Sequence, residues 1–334
     1  MAIISFEDAN IRLNPRGKEF RTRRFEGNIV VSLYIGDFES EGLQLSKKHP
    51  IIAVTGSSGA GTSTVKDAFE HVFYREGINP AVIEGDSFHR YNRAEMKEAM
   101  AKAASEGNDN FSHFGSDANL FHEIEKLFKT YGETGSGKRR LYLHNEEEAV
   151  PYEGLGAGEF TPWEDIPNGT DLMFYEGLHG CVVTEDVNMA QYVDLKIGVV
   201  PVINLEWIQK IHRDTSQRGY SEEAVMDTIL RRMHDYVHYI IPQFKSTDIN
   251  FQRVPVVDTS DPIIARDIPT PDESLVVIRF RRPEDFNVDF PYLLQMIHDS
   301  WMSRRNSIVV PGGKMGLAME LILAPILRDM LANK

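Results

Sequence analysis

Cysteine is nearly absent from this chain of 334 residues: Cys181 stands alone, which excludes an intramolecular disulfide and any thiol switch within one chain. Positive charge is also short, with a net −14 at pH 7, so nonspecific nucleic-acid binding is a poor main role. No run is long and apolar enough to span a bilayer, and the first residues lack the basic, apolar, small-residue order of a signal peptide. The expected setting is therefore cytoplasmic, with no membrane or nucleic-acid partner. A hydrophobic content of 42% supports a large core in one α/β domain with appendages. Local basic clustering at Arg213, Arg218, Arg231 and Arg232 suits a small anionic ligand better than a polyanion.

One further absence is a single residue. Ile51-Ile52-Ala53-Val54-Thr55 reads as a buried strand that breaks into Gly56-Ser57-Ser58-Gly59-Ala60-Gly61-Thr62-Ser63-Thr64 and then a helix. That order fits an ATP phosphate-binding loop: glycines let successive N–H groups point inward, and the helix N-terminus favours negative charge. Ser63 is then the Mg²⁺ hydroxyl, but Thr62 occupies the position of the usual lysine, so another cation must serve the phosphates. The bland alternative is an ordinary Gly/Ser-rich turn. Val65, Ala68, Phe69, Val72 and Phe73 form one apolar helical stripe after the loop, and Gly77 ends it.

Short apolar runs mark further strands at Ala81–Glu84, Leu172–Tyr175, Leu195–Val200, Leu275–Phe280 and Ser307–Val310. Helical patterns lie between them, including Leu120 to Tyr131 with Asn119 as its N-cap, and Leu317 to Leu331 closes the chain. The alternation implies a mostly parallel central sheet flanked by helices, with added strands near the C-terminus. Residues 145–168, rich in Glu, Gly and Pro, read as surface loop.

In such a sheet, ligands sit beyond the carboxyl ends of the strands. Asp86 and Glu176 follow two of those ends, and phosphoryl transfer needs one carboxylate to accept a proton and one to hold Mg²⁺. Taken singly, Asp86 is equally a turn residue and Glu176 a solvated strand-end charge. His89 and Arg93 are four apart, so a helical turn would project both toward a sugar phosphate. Lys210, Arg213, Asp214 and Arg218 have helical spacing before Gly219, which suits a lid around residues 210–232 that carries cations over the transferring group. Lys210 is the candidate for the charge Thr62 cannot supply; the competing reading is a solvated helix face.

These segments resemble a known family. The loop at Thr55–Thr64, Ile83-Glu84-Gly85-Asp86-Ser87-Phe88-His89-Arg90, Phe174-Tyr175-Glu176-Gly177-Leu178-His179-Gly180, the run Asp194–Asp214, Thr247–Pro255 and Ser300-Trp301-Met302-Ser303-Arg304 are similar to phosphoribulokinase of the proteobacterial type. Threonine at the lysine position is shared with that type. The resemblance implies a P-loop kinase fold over 46–334 and ATP- and Mg²⁺-dependent phosphorylation of ribulose 5-phosphate for carbon fixation. It makes Asp86 the general base and Glu176 the metal carboxylate, and gives the sugar phosphate to His89, Arg93, His144 and Arg218. Lys210 and Arg213 then neutralise the transferring phosphate, with Asp214 a further catalytic carboxylate. It also implies an octamer activated by NADH and inhibited by AMP, for which Arg75, Arg279 and Arg304 are the arginines suited to dinucleotide phosphates.

Residues 1–45 fall outside the resemblance. They contain Arg21, Arg23, Arg24 and a strand-like run at Ile29–Ile35, and the expectation is that Leu45 marks a native alternative start; the competing idea is an appended strand or targeting arm. Two other functions compete. Uridine kinase shares the glycine loop, an Asp-Ser-Phe motif and an Asn-Phe-x-His run, here Asn110–His113, but normally keeps the loop lysine. An ATP sensor without turnover is suggested by Thr62 and opposed by Asp86, Glu176 and Lys210 together.

Overall fold

A computed structural model of the chain describes residues 11–13, 19–25, 29–34, 48–57, 62–216, 219–263 and 267–332. The chain divides into two units, Met1–Gln44 and Leu45–Lys334. In the first, β1 (Ile11–Leu13), β2 (Glu19–Phe25) and β3 (Ile29–Tyr34) form an antiparallel three-stranded meander, and the strand-like run of the sequence is β3.

The second unit opens with β4 (Ile51–Gly56), α1 (Thr62–Glu76), β5 (Pro80–Glu84), α2 (Arg93–Ser105) and α3 (Phe121–Thr134). An excursion follows, in which β6 (Lys138–Arg139) pairs with β7 (Glu164–Asp165) and α4 (Glu146–Ala149) lies between them. The 145–168 stretch is thus mostly loop, as its composition implies, yet tied at both ends. Then come β8 (Leu172–Gly177), β9 (Leu195–Val199), α5 (Ile203–Ser216), α6 (Glu222–Asp235), β10 (Ile249–Pro255), β11 (Ser274–Phe280), α7 (Phe290–Met296), β12 (Trp301–Arg304), β13 (Ser307–Pro311) and α8 (Met315–Ala332).

The eight-stranded sheet runs β12-β13-β11-β10-β9-β4-β8-β5. Its β10-β9-β4-β8-β5 half is parallel and the β11, β13, β12 edge antiparallel. Both faces of β4 are buried because successive side chains alternate between layers. Ile52 and Val54 pack with Val65, Phe69, Val72 and Phe73 of α1 and with α8, whereas Ile51 and Ala53 join Ile124, Leu127, Phe128 and Tyr131 of α3. Each large side chain so buried contributes about 1.5–3 kcal/mol. The sheet therefore fixes the far ends of β4, β5 and β8 relative to one another.

Two glycines permit an unusually close approach there. A Cβ on Gly85 would lie 2.9 Å from the Gly177 Cα, and one on Gly177 would lie 2.7 Å from the Gly85 Cα. No other residue fits either position without displacing the strand end that carries Asp86 or Glu176.

Asn119 does not cap α3. Leu120 holds the N-cap position without a side-chain hydrogen bond, and the Asn119 side chain is turned into the site instead.

Candidate active site

The loop after β4 is anchored from behind. Thr55 Oγ1 lies 2.9 Å from Gln243 Oε1 and 3.1 Å from the Leu178 carbonyl. Gln243 also accepts from the Cys181 N–H at 2.9 Å and donates to the Leu178 and Tyr239 carbonyls, both at 2.8 Å. One buried amide thus joins the β4 end, the loop after β8 and the helical turn at Tyr236–Ile240, leaving none of its own polar atoms unmatched. Of the predicted phosphate loop, Gly56 ends β4, Ser57 is buried, and Thr62, Ser63 and Thr64 form the first turn of α1; Ser58, Gly59, Ala60 and Gly61 lie outside the described residues. The strand–loop–helix order the sequence implies is present on both sides.

Asp86 sits in the short turn Gly85–Phe88 at the end of β5, with its side chain 41% exposed. His89 Nε2 is 3.3 Å from its Oδ1 and His144 Nε2 3.9 Å from its Oδ2. The other His89 nitrogen, Nδ1, is 2.8 Å from Asn119 Oδ1, and the Asn119 amide donates to the His113 and Gly115 carbonyls. Burial alone would raise the Asp86 carboxyl, but the hydrogen bond and charge of His89, with His144 and His113 beyond, hold it well below the usual carboxylate range. Burial likewise opposes the His89 imidazolium, and Asp86 outweighs it, so His89 is raised. His113, its ring tilted against that of His89 at 4.7 Å, is instead pushed down to about 3 by burial and then by the His89 charge. Charge is thus favoured on one imidazole and disfavoured on its neighbour.

His89 and Arg93 do not share a helical turn. His89 is extended, whereas Arg93 begins α2 behind the Asn92–Glu95 capping box. The bend between them separates their directions, so spacing four was misleading. Arg93 Nη2 donates to the His144 carbonyl at 2.8 Å, and its backbone N–H to that of Gly158 at 2.9 Å. His89, Arg93 and His144 are therefore brought together after all, through the 141–161 excursion; Arg218 lies outside the described residues.

Glu176 stands in register between Val54 of β4 and Glu84 of β5. Lys66 Nζ pairs with Glu84 Oε1 at 3.0 Å; burial works against its ammonium, but Glu84 first and Glu176 after it raise the group. Sequence reasoning passed over Lys66 because it lies beyond the loop motif. Carboxylates at neighbouring strand ends fit Mg²⁺, which keeps waters and substrate phosphates in its shell; among the described residues no group of three or more His, Cys, Asp or Glu is arranged to hold a metal ion by itself.

Lys210 is buried rather than spread over a solvated face. Its Nζ is 2.5 Å from Asp214 Oδ2, and Arg213 Nε is 3.0 Å from Asp214 Oδ1. Burial and then Arg232 push Lys210 down to about 8, against the pull of Asp214. The ion pairs overcome desolvation at Asp214 and hold it low. Tyr236 donates to Glu206 at 3.1 Å, and Arg232 lies over the Phe114 ring at 5.0 Å; with Lys210 and Trp207 they line a cavity of about 20 Å³. Arg232 was legible only as part of a basic cluster, since the turn of α6 that aims it inward has no sequence signal.

Arg279 and Arg304 lie on strands flanking β13, each opposite Ser307. Arg75 is elsewhere, at the end of α1, 2.7 Å from Glu320 of α8.

A glycine-rich sequence between a central parallel strand and a helix, with two carboxylates at the adjoining strand ends and the buried Lys210, defines the class of P-loop phosphotransferases. The match to known proteins is more specific. Residues 51–260 fit the model of the phosphoribulokinase/uridine kinase family, and the chain belongs to that family. It is 64% identical to the plasmid-encoded phosphoribulokinase of Cupriavidus necator over 290 residues, 87% of this chain and 98% of that one. Phosphoribulokinase 1 of Cereibacter sphaeroides is 62% identical over 283 residues, 85% of this chain and 97% of that one. The solved phosphoribulokinase from Rhodobacter spheroides superimposes with a TM-score of 0.79 at 60% identity, covering 86% of this chain and 99% of that one.

Proposed function

We propose that the chain transfers the γ-phosphoryl group of ATP to the 1-hydroxyl of ribulose 5-phosphate, giving ribulose 1,5-bisphosphate for carbon fixation; phosphoribulokinases at 60–64% identity support this reading. The observation that carries it is Asp86, a carboxylate that His89 holds low, at the end of β5 next to the β8 end that carries Glu176. An ionised carboxylate can take the proton of an attacking hydroxyl, and the γ-phosphoryl group is then transferred in line. In this reading His89, Arg93, His144 and Arg218 bind the sugar phosphate. Ser63 and Glu176 would hold Mg²⁺, whose chemistry is to neutralise charge on the phosphates.

Lys210 and Arg213 take the place of the loop lysine. The nucleotide polyphosphate competes with Asp214 for both, so ATP binding draws these cations from the carboxylate toward the phosphates. A lid around residues 210–232 then excludes water. Regulation is assigned to NADH as activator and AMP as inhibitor of a homo-octamer in the cytoplasm, through Arg75, Arg279 and Arg304.

A coupled ADP-release assay with ribulose 5-phosphate, uridine or no acceptor tests the activity. Turnover with ribulose 5-phosphate alone is expected. Equal turnover with uridine, or ATP binding without ADP release in any arm, overturns the assignment.

A further inference from the structure

Arg140 lies outside every motif that points to phosphoryl transfer, yet it grips the turn that carries Asp86. Its Nε donates to the Ser87 carbonyl and its Nη2 to the His89 carbonyl, both at 2.8 Å. The Leu120 N–H donates to the Phe88 carbonyl between them at 2.9 Å, so the last two carbonyls of the turn and the one after it are held from outside. A turn this short satisfies few of its own carbonyls, and they would otherwise face solvent or shift with it. The guanidinium is itself wedged, 3.7 Å from the Phe160 ring centroid and 4.8 Å from that of Trp163. Trp163 packs edge-on against Phe88 at 5.5 Å, which closes the wedge onto the same turn. Partial burial lowers the Arg140 pKa, but an arginine remains charged, and its planar fork fixes the spacing of two acceptors as a lysine cannot.

The segment after Arg140 continues toward the substrate side with period two. Tyr142 stands edge-on to His89 at 6.3 Å and to His144 at 4.9 Å, and His144 reaches Asp86 and carries the carbonyl that holds Arg93. We propose that Arg140 is a positioning residue: it locks the Asp86 turn to the excursion that presents His144 and Arg93, so that proton acceptor and sugar-phosphate contacts keep one relative geometry. This rests on the reading of Asp86 as the general base.

A mere fold staple would slow every activity through stability, whereas a positioning residue acts through Asp86. The test compares the full-length parent, Arg140→Met, Arg140→Lys, Asp86→Asn and Asp86→Asn/Arg140→Met, with Tm and ATP affinity measured for each. Arg140→Met is expected to lower kcat about tenfold to a hundredfold, the scale of a displacement near 1 Å, with KM for ATP changed less than about twofold. Arg140→Lys, which keeps the charge but only one donor nitrogen and no planar fork, should fall between. In the Asp86→Asn background the same Arg140 change should cost less than about twofold more, because residues acting as a unit are non-additive. In an additional variant, Arg140→Ala, which leaves room for the cation, millimolar guanidinium should restore part of the kcat, and it should restore none of that of Asp86→Asn. Losses that multiply in the double variant, or a parental kcat in Arg140→Met, overturn the inference while leaving the base assignment standing. An unimpaired Asp86→Asn overturns the base assignment and the inference with it. Should Arg140→Met fail to fold, Arg140→Lys with its own Asp86→Asn double carries the same comparison.

Discussion

At the scale of single residues, the site is governed by which groups keep their charge. The Asp86 carboxyl is held low because His89 faces it with one ring nitrogen and Asn119 Oδ1 with the other; burial opposes the His89 imidazolium, and Asp86 and Asn119 together outweigh it. Asp86→Asn keeps the shape but cannot take a proton, so kcat should fall by about 10²–10⁴ while ATP still binds, as steady-state kinetics and calorimetry will show. His89→Gln removes the cation that depresses the carboxyl. A depressed carboxyl is ionised down to lower pH than usual and loses its charge only as pH falls through that lowered value; without His89 it rises, so the acid limb of kcat/KM must move to higher pH. A pH profile in which the limb stays in place would show that Asp86 is set by something else. Lys210 presents the opposite case, a cation weakened by burial and Arg232 to about 8 and waiting on Asp214. Lys210→Met should cost a few kcal/mol of transition-state stabilisation, and Thr62→Lys in that background should recover part of the lost kcat. An unchanged kcat in Lys210→Met would move the compensating charge elsewhere, with Lys66 next in position.

At the scale of elements, the two strand ends that carry the carboxylates meet through Gly85 and Gly177. Gly177→Ala forces a methyl group to within 2.7 Å of the Gly85 Cα, so β5 and β8 must separate at the site. The expected result is a kcat reduced by about tenfold or more with little change in ATP affinity, because the nucleotide loop is on β4 and the displaced turn is on β5. The parallel strands and α1 were legible because apolar periodicity is a local signal: the stripe from Val65 to Phe73 is buried as its spacing requires. The strand-end positions of Asp86 and Glu176 were legible because each follows a short apolar run, and a parallel sheet makes such ends the place to look for functional groups. Asn119, Gln243 and Arg140 were not, since each acts on partners remote in sequence: Gln243 reaches Thr55 across 188 positions and Arg140 reaches Ser87 across 53. Asn before an apolar helical run is a cap by local rules, and tertiary contact with His89 overrode that preference. His89 and Arg93 were joined for the wrong reason, by helical spacing, although the 141–161 excursion unites them.

At the scale of the whole molecule, the proposed catalytic residues and two of the proposed regulatory arginines fall on different halves of the sheet. Its parallel half carries the proposed reacting groups, and its antiparallel edge ends in β12, which carries Arg304 and whose Trp301 is 46% exposed. With a net charge of −14, local arginines are what this chain can offer an anionic effector. Arg279 and Arg304 converge on Ser307 from both sides of β13, whereas Arg75 is engaged with Glu320 and so couples α1, which begins at the phosphate loop, to α8. This arrangement divides the proposed regulatory arginines into a pair suited to hold phosphates and one suited to relay. Arg279→Ala and Arg304→Ala should therefore weaken NADH binding and, by linkage, both NADH activation and AMP inhibition. Arg75→Ala should leave NADH affinity nearer the parent while reducing the activation it produces. Coupling between sites of this kind is worth about 1–3 kcal/mol and is reciprocal, so a variant that loses activation must also lose the effect of bound nucleotide on NADH affinity. Titrating NADH with and without a non-hydrolysable ATP analogue measures both directions, and parental titrations in all three variants would put the effector site on another surface.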